Sequence, residues 1–135
     1  MQPPKKLLHA AFDGTGVDLS TGTYEMLFFG GGSAPDYGDT GYEFEDDITG
    51  DGHTIHHREV LTNPDWTARV FSADSFVIND PGSGTVTHVA VIRQGGGGAG
   101  TNRIICHQDI ADFTFDSVDD QGNVDASGFF RLGTA

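Results

Sequence analysis

The pattern of apolar and polar positions organises the chain around residues 85–115, where two β-prone runs flank the loop GGGGAG. From Val86 to Arg93, alternation sends Val86, His88, Ala90 and Ile92 to one face and Thr87, Val89, Val91 and Arg93 to the other, because successive side chains of a strand point opposite ways. After the loop, Ile104, Ile105 and Cys106 resume the run, and Ile110, Asp112 and Thr114 then alternate with Ala111, Phe113 and Phe115. The pattern predicts a β-hairpin at the centre of a sheet. YEMLFF, residues 24–29, predicts a second strand, with Tyr24, Met26 and Phe28 on one side and Glu25, Leu27 and Phe29 on the other. Its near-continuous hydrophobicity makes it a central strand.

The rest of the chain is punctuated by turns. Residues 53–61 read as a strand with Ile55 or Val60 inward, ended by Asn63-Pro64. Strands are also predicted around residues 66–71 and 75–78, separated by a Ser-Ala-Asp turn, with NDPGSG turning the chain before the hairpin. The tail reads as a further hairpin, with DDQGN at its turn and residues 124–132 returning along the preceding strand. Residues 30–52 form a long segment rich in Gly and Asp, with one helical turn over GYEFEDDI anchored by Tyr42, Phe44 and Ile48; a loop of that length is functional or mobile in most compact domains. Helical spacing is clear only in KKLLHAAFDG, where Leu7, Leu8, Ala11 and Phe12 form a stripe that Gly14 stops. The expectation is a mainly β chain, residues 1–135 as a single domain: an antiparallel β-sandwich or barrel of about seven to eight strands with one short N-terminal helix and residues 1–6 as an extended arm.

Charge narrows the partners. Twenty acidic residues, sixteen of them Asp, oppose seven basic ones, for a formal charge of -13. Nucleic acid is a poor partner for such a surface, since phosphate binding needs Lys or Arg clusters. The acidic, Lys-poor surface suits high salt, as in a halophilic source, and equally suits ordinary solubility. No apolar run is long enough for a signal peptide or a membrane span, LLHAAF being only six residues, so the expectation is a chain made in the host cytoplasm. Cys106, the one cysteine, lies in an apolar run and reads as a small buried hydrophobe.

Candidate chemistry is sparse. GGGGAG is followed by a strand and contains no Lys, so it reads as a hairpin tip suited to touching a neighbouring subunit, not as a phosphate loop. His53 and His57 in HTIHH share a strand face but stand about 13 Å apart, and His88 with His107 would still lack a third ligand, so no metal site is expected. An EF-hand beginning at Asp47 fails at its third and twelfth positions, Thr49 and Arg58; the acidic clusters Asp46, Asp47, Asp51 and Asp119, Asp120, Asp125 read as solvated turns or as a calcium site built from two loops. With no GxSxG, no HExxH and only four Glu, none read as buried, neither an enzyme nor a cofactor is expected.

The order of features, GVDLSTGTYEMLFFG, the Tyr-containing loop closing on YEFEDDITGDGHT, VFSADSFVI, and THVAVIRQGGGGAGTNRIICHQDI, resembles small virion proteins of tailed phages and archaeal tailed viruses. The resemblance implies a compact β-sandwich in the virion, a head decoration protein that binds the major capsid protein and copies of itself as a symmetric homo-oligomer. It brings no catalytic or binding residues with it. The residues expected to make contacts are Lys5 and Lys6 in the arm, Tyr37, Tyr42 and Phe44 in the long loop, and Gly95, Gly96, Gly97 and Gly98 at the tip. The alternative is a tail or turret protein that attaches to host glycans through Trp66, Tyr37 and Tyr42.

Overall fold

The computed structural model describes residues 21–38, 41–67, 70–79, 83–115, 121–124 and 130–131. The expected arm with Lys5 and Lys6, the helix around Leu7 to Phe12, and Asp119, Asp120 and Asp125 lie outside the described residues. Within them run nine strands, β1 Tyr24–Gly30, β2 Thr54–Val60, β3 Asp65–Thr67, β4 Val70–Ser72, β5 Phe76–Asn79, β6 Gly84–Arg93, β7 Arg103–Phe115, β8 Gln121–Val124 and β9 Phe130–Arg131, and one α-helix, α1 Glu45–Gly50. The main sheet is antiparallel and open, in the order β2-β1-β6-β7; the remaining strands form two small sheets, β3-β4-β9 and β5-β8.

β1 is central, as its sequence demands, and all seven of its residues are buried. Each face of the sheet has its own core. On one, Tyr24, Met26, Phe28, Val86, Val89, Val91, Ile105 and Cys106 pack with Leu61, Phe71 and Ile78. On the other, Leu27, Phe29, Ala90, Ile92 and Ile104 pack with Tyr42 and with Ile48 of α1. Full burial of such side chains contributes about 1.5–3 kcal/mol each, so the sheet is stabilised from both sides. Ile55 turns inward on β2, whereas Val60 is exposed.

Three local irregularities depart from the sequence pattern. Val91 pairs with Cys106 and Ile92 with Ile104, leaving Ile105 as an extra residue in β7. Such a bulge shifts the phase of the strand, so Ile105 and Cys106 enter the same core. A second shift, between Val86 and His88, puts Val86 with Val89 and Val91, not on the predicted face with His88, Ala90 and Ile92. The predicted strand over residues 66–71 is instead a hairpin, β3 against β4, with Trp66 opposite Phe71. The tail also departs from expectation: β8 pairs with β5 and β9 with β4, because β6 takes β7 as its partner along nearly its whole length.

Gly30, at the end of β1, is needed for close approach. A Cβ there would lie 2.3 Å from the backbone oxygen of Thr85, a contact that only separation of the strands relieves. Gly30→Ala should therefore lower unfolding stability by about 2 kcal/mol, within the range for overpacked interiors. Urea denaturation checks this; a loss under about 0.5 kcal/mol would mean that the end of β1 yields freely.

Candidate functional site

The long loop, α1 and the glycine tip converge at one end of the main sheet, joined by residues that are far apart in sequence. Glu25 lies in phase with Leu27 and Phe29, so β1 aims its carboxylate into the sheet's helix-covered face. α1 aims Glu45 at the same place. Both are buried, at 5% and 3% exposure, and sequence reasoning missed both. Arg58 of β2 bridges them: its guanidinium donates to Glu25 at 2.6 Å and to both carboxylate oxygens of Glu45. Gln94 completes the shell of Glu25, and Asn102 donates to Glu45 at 2.6 Å. Desolvation pushes the Glu45 carboxyl upward, but hydrogen bonds from Arg58 and Asn102 outweigh it and hold the group below the ordinary carboxylate value. The Arg58 guanidinium is pushed up, chiefly by its hydrogen bond to Glu45. A buried carboxylate pair bridged in this way ties helix to sheet; it is not a free general acid or base.

Asn102 extends the network to the tip. Its side-chain oxygen accepts the Gly95 N–H at 3.1 Å, and its backbone oxygen accepts the Glu45 N–H at 2.9 Å. Thr101 holds the rest, its hydroxyl accepting the Gly97 N–H at 2.9 Å and donating to the Gly98 oxygen at 2.9 Å. Gly96 and Gly98 both take φ of 85°, a backbone that glycine adopts without strain. Gly95 to Gly98 are thus exposed, yet fixed through their backbone. The tip lies beside α1, where Gly100 approaches the Asp46 carboxylate.

The long loop is folded onto the sheet. His53 accepts the Gly32 N–H through Nδ1 at 3.1 Å and reaches the Ser33 oxygen through Nε2 at 2.5 Å. The Tyr42 N–H donates to the Asp36 oxygen at 2.5 Å, and its hydroxyl donates to Asp51 at 2.7 Å. Asp47 caps α1 from within, accepting the N–H groups of Glu43 and Phe44 at 2.7 and 2.9 Å. Of the predicted contact residues, Tyr42 is only 3% exposed and belongs to the core. Tyr37 and Phe44 are half-buried, Tyr37 flat against His107 with ring centroids 3.2 Å apart, and Phe44 beneath the Arg103 guanidinium. The structure therefore brings Gly95 to Gly98 to the surface and turns Tyr42 away from it, which removes one of the three rings expected for sugar stacking.

Asp36, Asp46, Asp47 and Asp51 line a cleft of about 340 Å³ beside Tyr42. Three of these carboxylates already accept hydrogen bonds: Asp36 from Gly38, Asp47 from the α1 N-terminus and Asp51 from Tyr42. Among the described residues, no group of three or more His, Cys, Asp or Glu is placed to hold a metal ion. His107 is opposite Ala90, and His88 is opposite Asp109, so these two imidazoles are diagonal neighbours. Cys106 is fully buried, and desolvation pushes its thiol up to about 12. No helix among the described residues is long and apolar enough to cross a membrane. No protein-family model, curated protein or solved structure matches the chain.

Proposed function

We propose that the chain is a structural virion protein, a head decoration protein whose β-sandwich binds the outer shell as a symmetric oligomer and stabilises it. Its partners are the major capsid protein and further copies of itself. The observation that carries this reading is the tip, Gly95 to Gly98, which is exposed but fixed by Thr101 and Asn102 to a buried ion-pair network. A surface already ordered before binding loses little conformational entropy when a partner covers it, and glycine backbone allows a close approach. The half-buried rings of Tyr37 and Phe44 at the same end supply apolar area toward an interface of standard size, about 1,600 Å² in total. Repetition over a symmetric shell multiplies each such contact. With a chain charge of -13, copies repel one another at low salt, so assembly of the oligomer strengthens as salt screens that repulsion.

The test is immunogold labelling of disrupted virions with an antibody raised against this chain, scored on isolated heads and isolated tails. Regular labelling over heads is expected. Gold confined to tails or vertices would move the protein to an attachment role, and none on either would end the virion reading.

A further inference from the structure

Three of the histidines gather under the loop that follows β1. His53 sits at the end of β1 beside Phe29, with ring centroids 5.1 Å apart, and His88 stacks on the same Phe29 at 5.5 Å and 17°. The His53 and His88 rings are themselves 5.5 Å apart. His107 of β7 carries Tyr37 face to face, 7° from parallel. Residues 31–38 are thus held by the His53 hydrogen bonds at Gly32 and Ser33, by the ring of Tyr37 on His107 and against Tyr42, and by backbone bonds from the Ser33 N–H to the Asp51 oxygen and from the Tyr42 N–H to the Asp36 oxygen. The bonds of His53 require a neutral ring, because Nδ1 must accept from Gly32. The ring stack encloses two polar atoms, the Tyr37 hydroxyl and His107 Nδ1, that have no hydrogen-bond partner among the described residues. Each such group costs about 1–3 kcal/mol while it stays closed off from water.

We propose that residues 31–38 form an acid-released flap, held through the ring of Tyr37 on His107 while that ring and its neighbour His88 are uncharged, and loosened when they take up protons. A proton on His88 places charge beside His107, its diagonal neighbour across the strand pair. On His107 the added proton finds no acceptor beneath Tyr37. The groups facing these rings compensate only in part: the Thr87 hydroxyl lies 2.6 Å from His88 Nδ1. His88 is met by Asp109 at 3.3 Å and by Asp112, both on β7, but the Asp109 side chain is 77% exposed and its attraction is screened. His107 faces Tyr37 from the loop, His88 from β6, and Asp109 and the neutral Cys106 thiol on its own strand. Burial pulls His88 below its ordinary value and His107 down to about 4.

The sign follows. A ring whose value is lowered in the closed state supports closure fully above the ordinary histidine value, and that support is lost as pH falls from about 6.5 towards 4. With the half-buried position of His107 discounted, opening of the flap should rise about tenfold between pH 7 and pH 4.5. The measurement is amide hydrogen exchange of the full chain, expressed as protection factors at the two pH values. Protection across residues 31–38 should fall about tenfold while β1 and β6 keep theirs. His107→Phe retains the stack without a titrating nitrogen and should move the release to lower pH. Protection unchanged at pH 4.5, loss shared by β1 and β6, or an unaltered release in His107→Phe each overturns the proposal. Should that variant fail to fold, the imidazole resonances of the wild-type chain decide: a His107 that titrates at the free-histidine value overturns it equally. The proposal is independent of the virion reading.

Discussion

Replacing Arg58 with Met is expected to lower unfolding stability at pH 7 by about 3 kcal/mol. The substitution keeps most of the side chain's volume and removes the charge that two buried carboxylates share. Leaving buried charges without their counterion costs about 3–5 kcal/mol, and the lower end applies because the Arg58 side chain is 39% exposed. The pH dependence has a defined direction. The Glu45 carboxyl is held below its ordinary value in the fold, so its ionisation adds stability above that value, and the gain is lost as pH falls through the folded value. Without Arg58 the Glu45 carboxylate loses the bonds that favour its ionised form, and the gap between wild type and variant should narrow on acidification. Urea midpoints at pH 7 and pH 3.5 measure both quantities. A gap that stays below 1 kcal/mol at pH 7, or that does not narrow, would mean that the network is solvated and carries little of the fold. Adding Glu25→Gln and Glu45→Gln to Arg58→Met should recover much of the loss, because no buried charge then stays unpaired.

Phe29→Ala is expected to lower unfolding stability by about 4 kcal/mol. The ring is fully buried in the core under α1, and removal of buried Phe costs about 3–5 kcal/mol through lost transfer energy and the cavity that remains. The same ring supports His53 and His88, so its loss should also weaken the hold on residues 31–38. Thermal unfolding read at the tyrosines and amide exchange across residues 31–38 follow the two consequences separately. Loss of stability without loss of loop protection would show that the loop's hydrogen bonds and the Tyr37 stack hold it without support from Phe29.

The sheet's centre was readable from alternation alone. YEMLFF and the runs on either side of GGGGAG each carry enough apolar residues in register to define β1, β6 and β7. What alternation cannot convey is a bulge: the phase shift at Thr87 moves Val86 to the other core, and nothing in the residues around it marks the position. Residues 66–71 depart from expectation for a related reason, since two short paired strands, β3 and β4, have the same composition as one strand. The ion-pair network left a trace that went unread. Glu25 is in phase with two core residues, and a charged side chain there requires a counterion. Its counterion, however, comes from β2, and the second carboxylate comes from the helix beyond the loop. Only the folded chain shows that three such distant positions meet. The tip shows the reverse: its exposure was readable from four glycines, but its anchoring depends on Thr101 and Asn102, two residues that composition ranks as ordinary turn formers.

The strand order has a consequence for synthesis. β1 is buried on both faces, yet its partner β6 lies much later in the chain, beyond the loop, α1 and four further strands. At about 5–20 residues per second, seconds pass between the emergence of YEMLFF from the ribosome and that of Gly84–Arg93. β2 covers one edge of β1 in that interval, but two strands alone are marginal in water. The hairpin of β6 and β7 closes over a short loop and so pairs quickly, but as two strands it too gains its stability only on docking against β1. The nascent chain therefore carries a strand destined for burial along its whole length unprotected until the hairpin arrives to receive it, and this interval is where a chaperone would matter most to its yield.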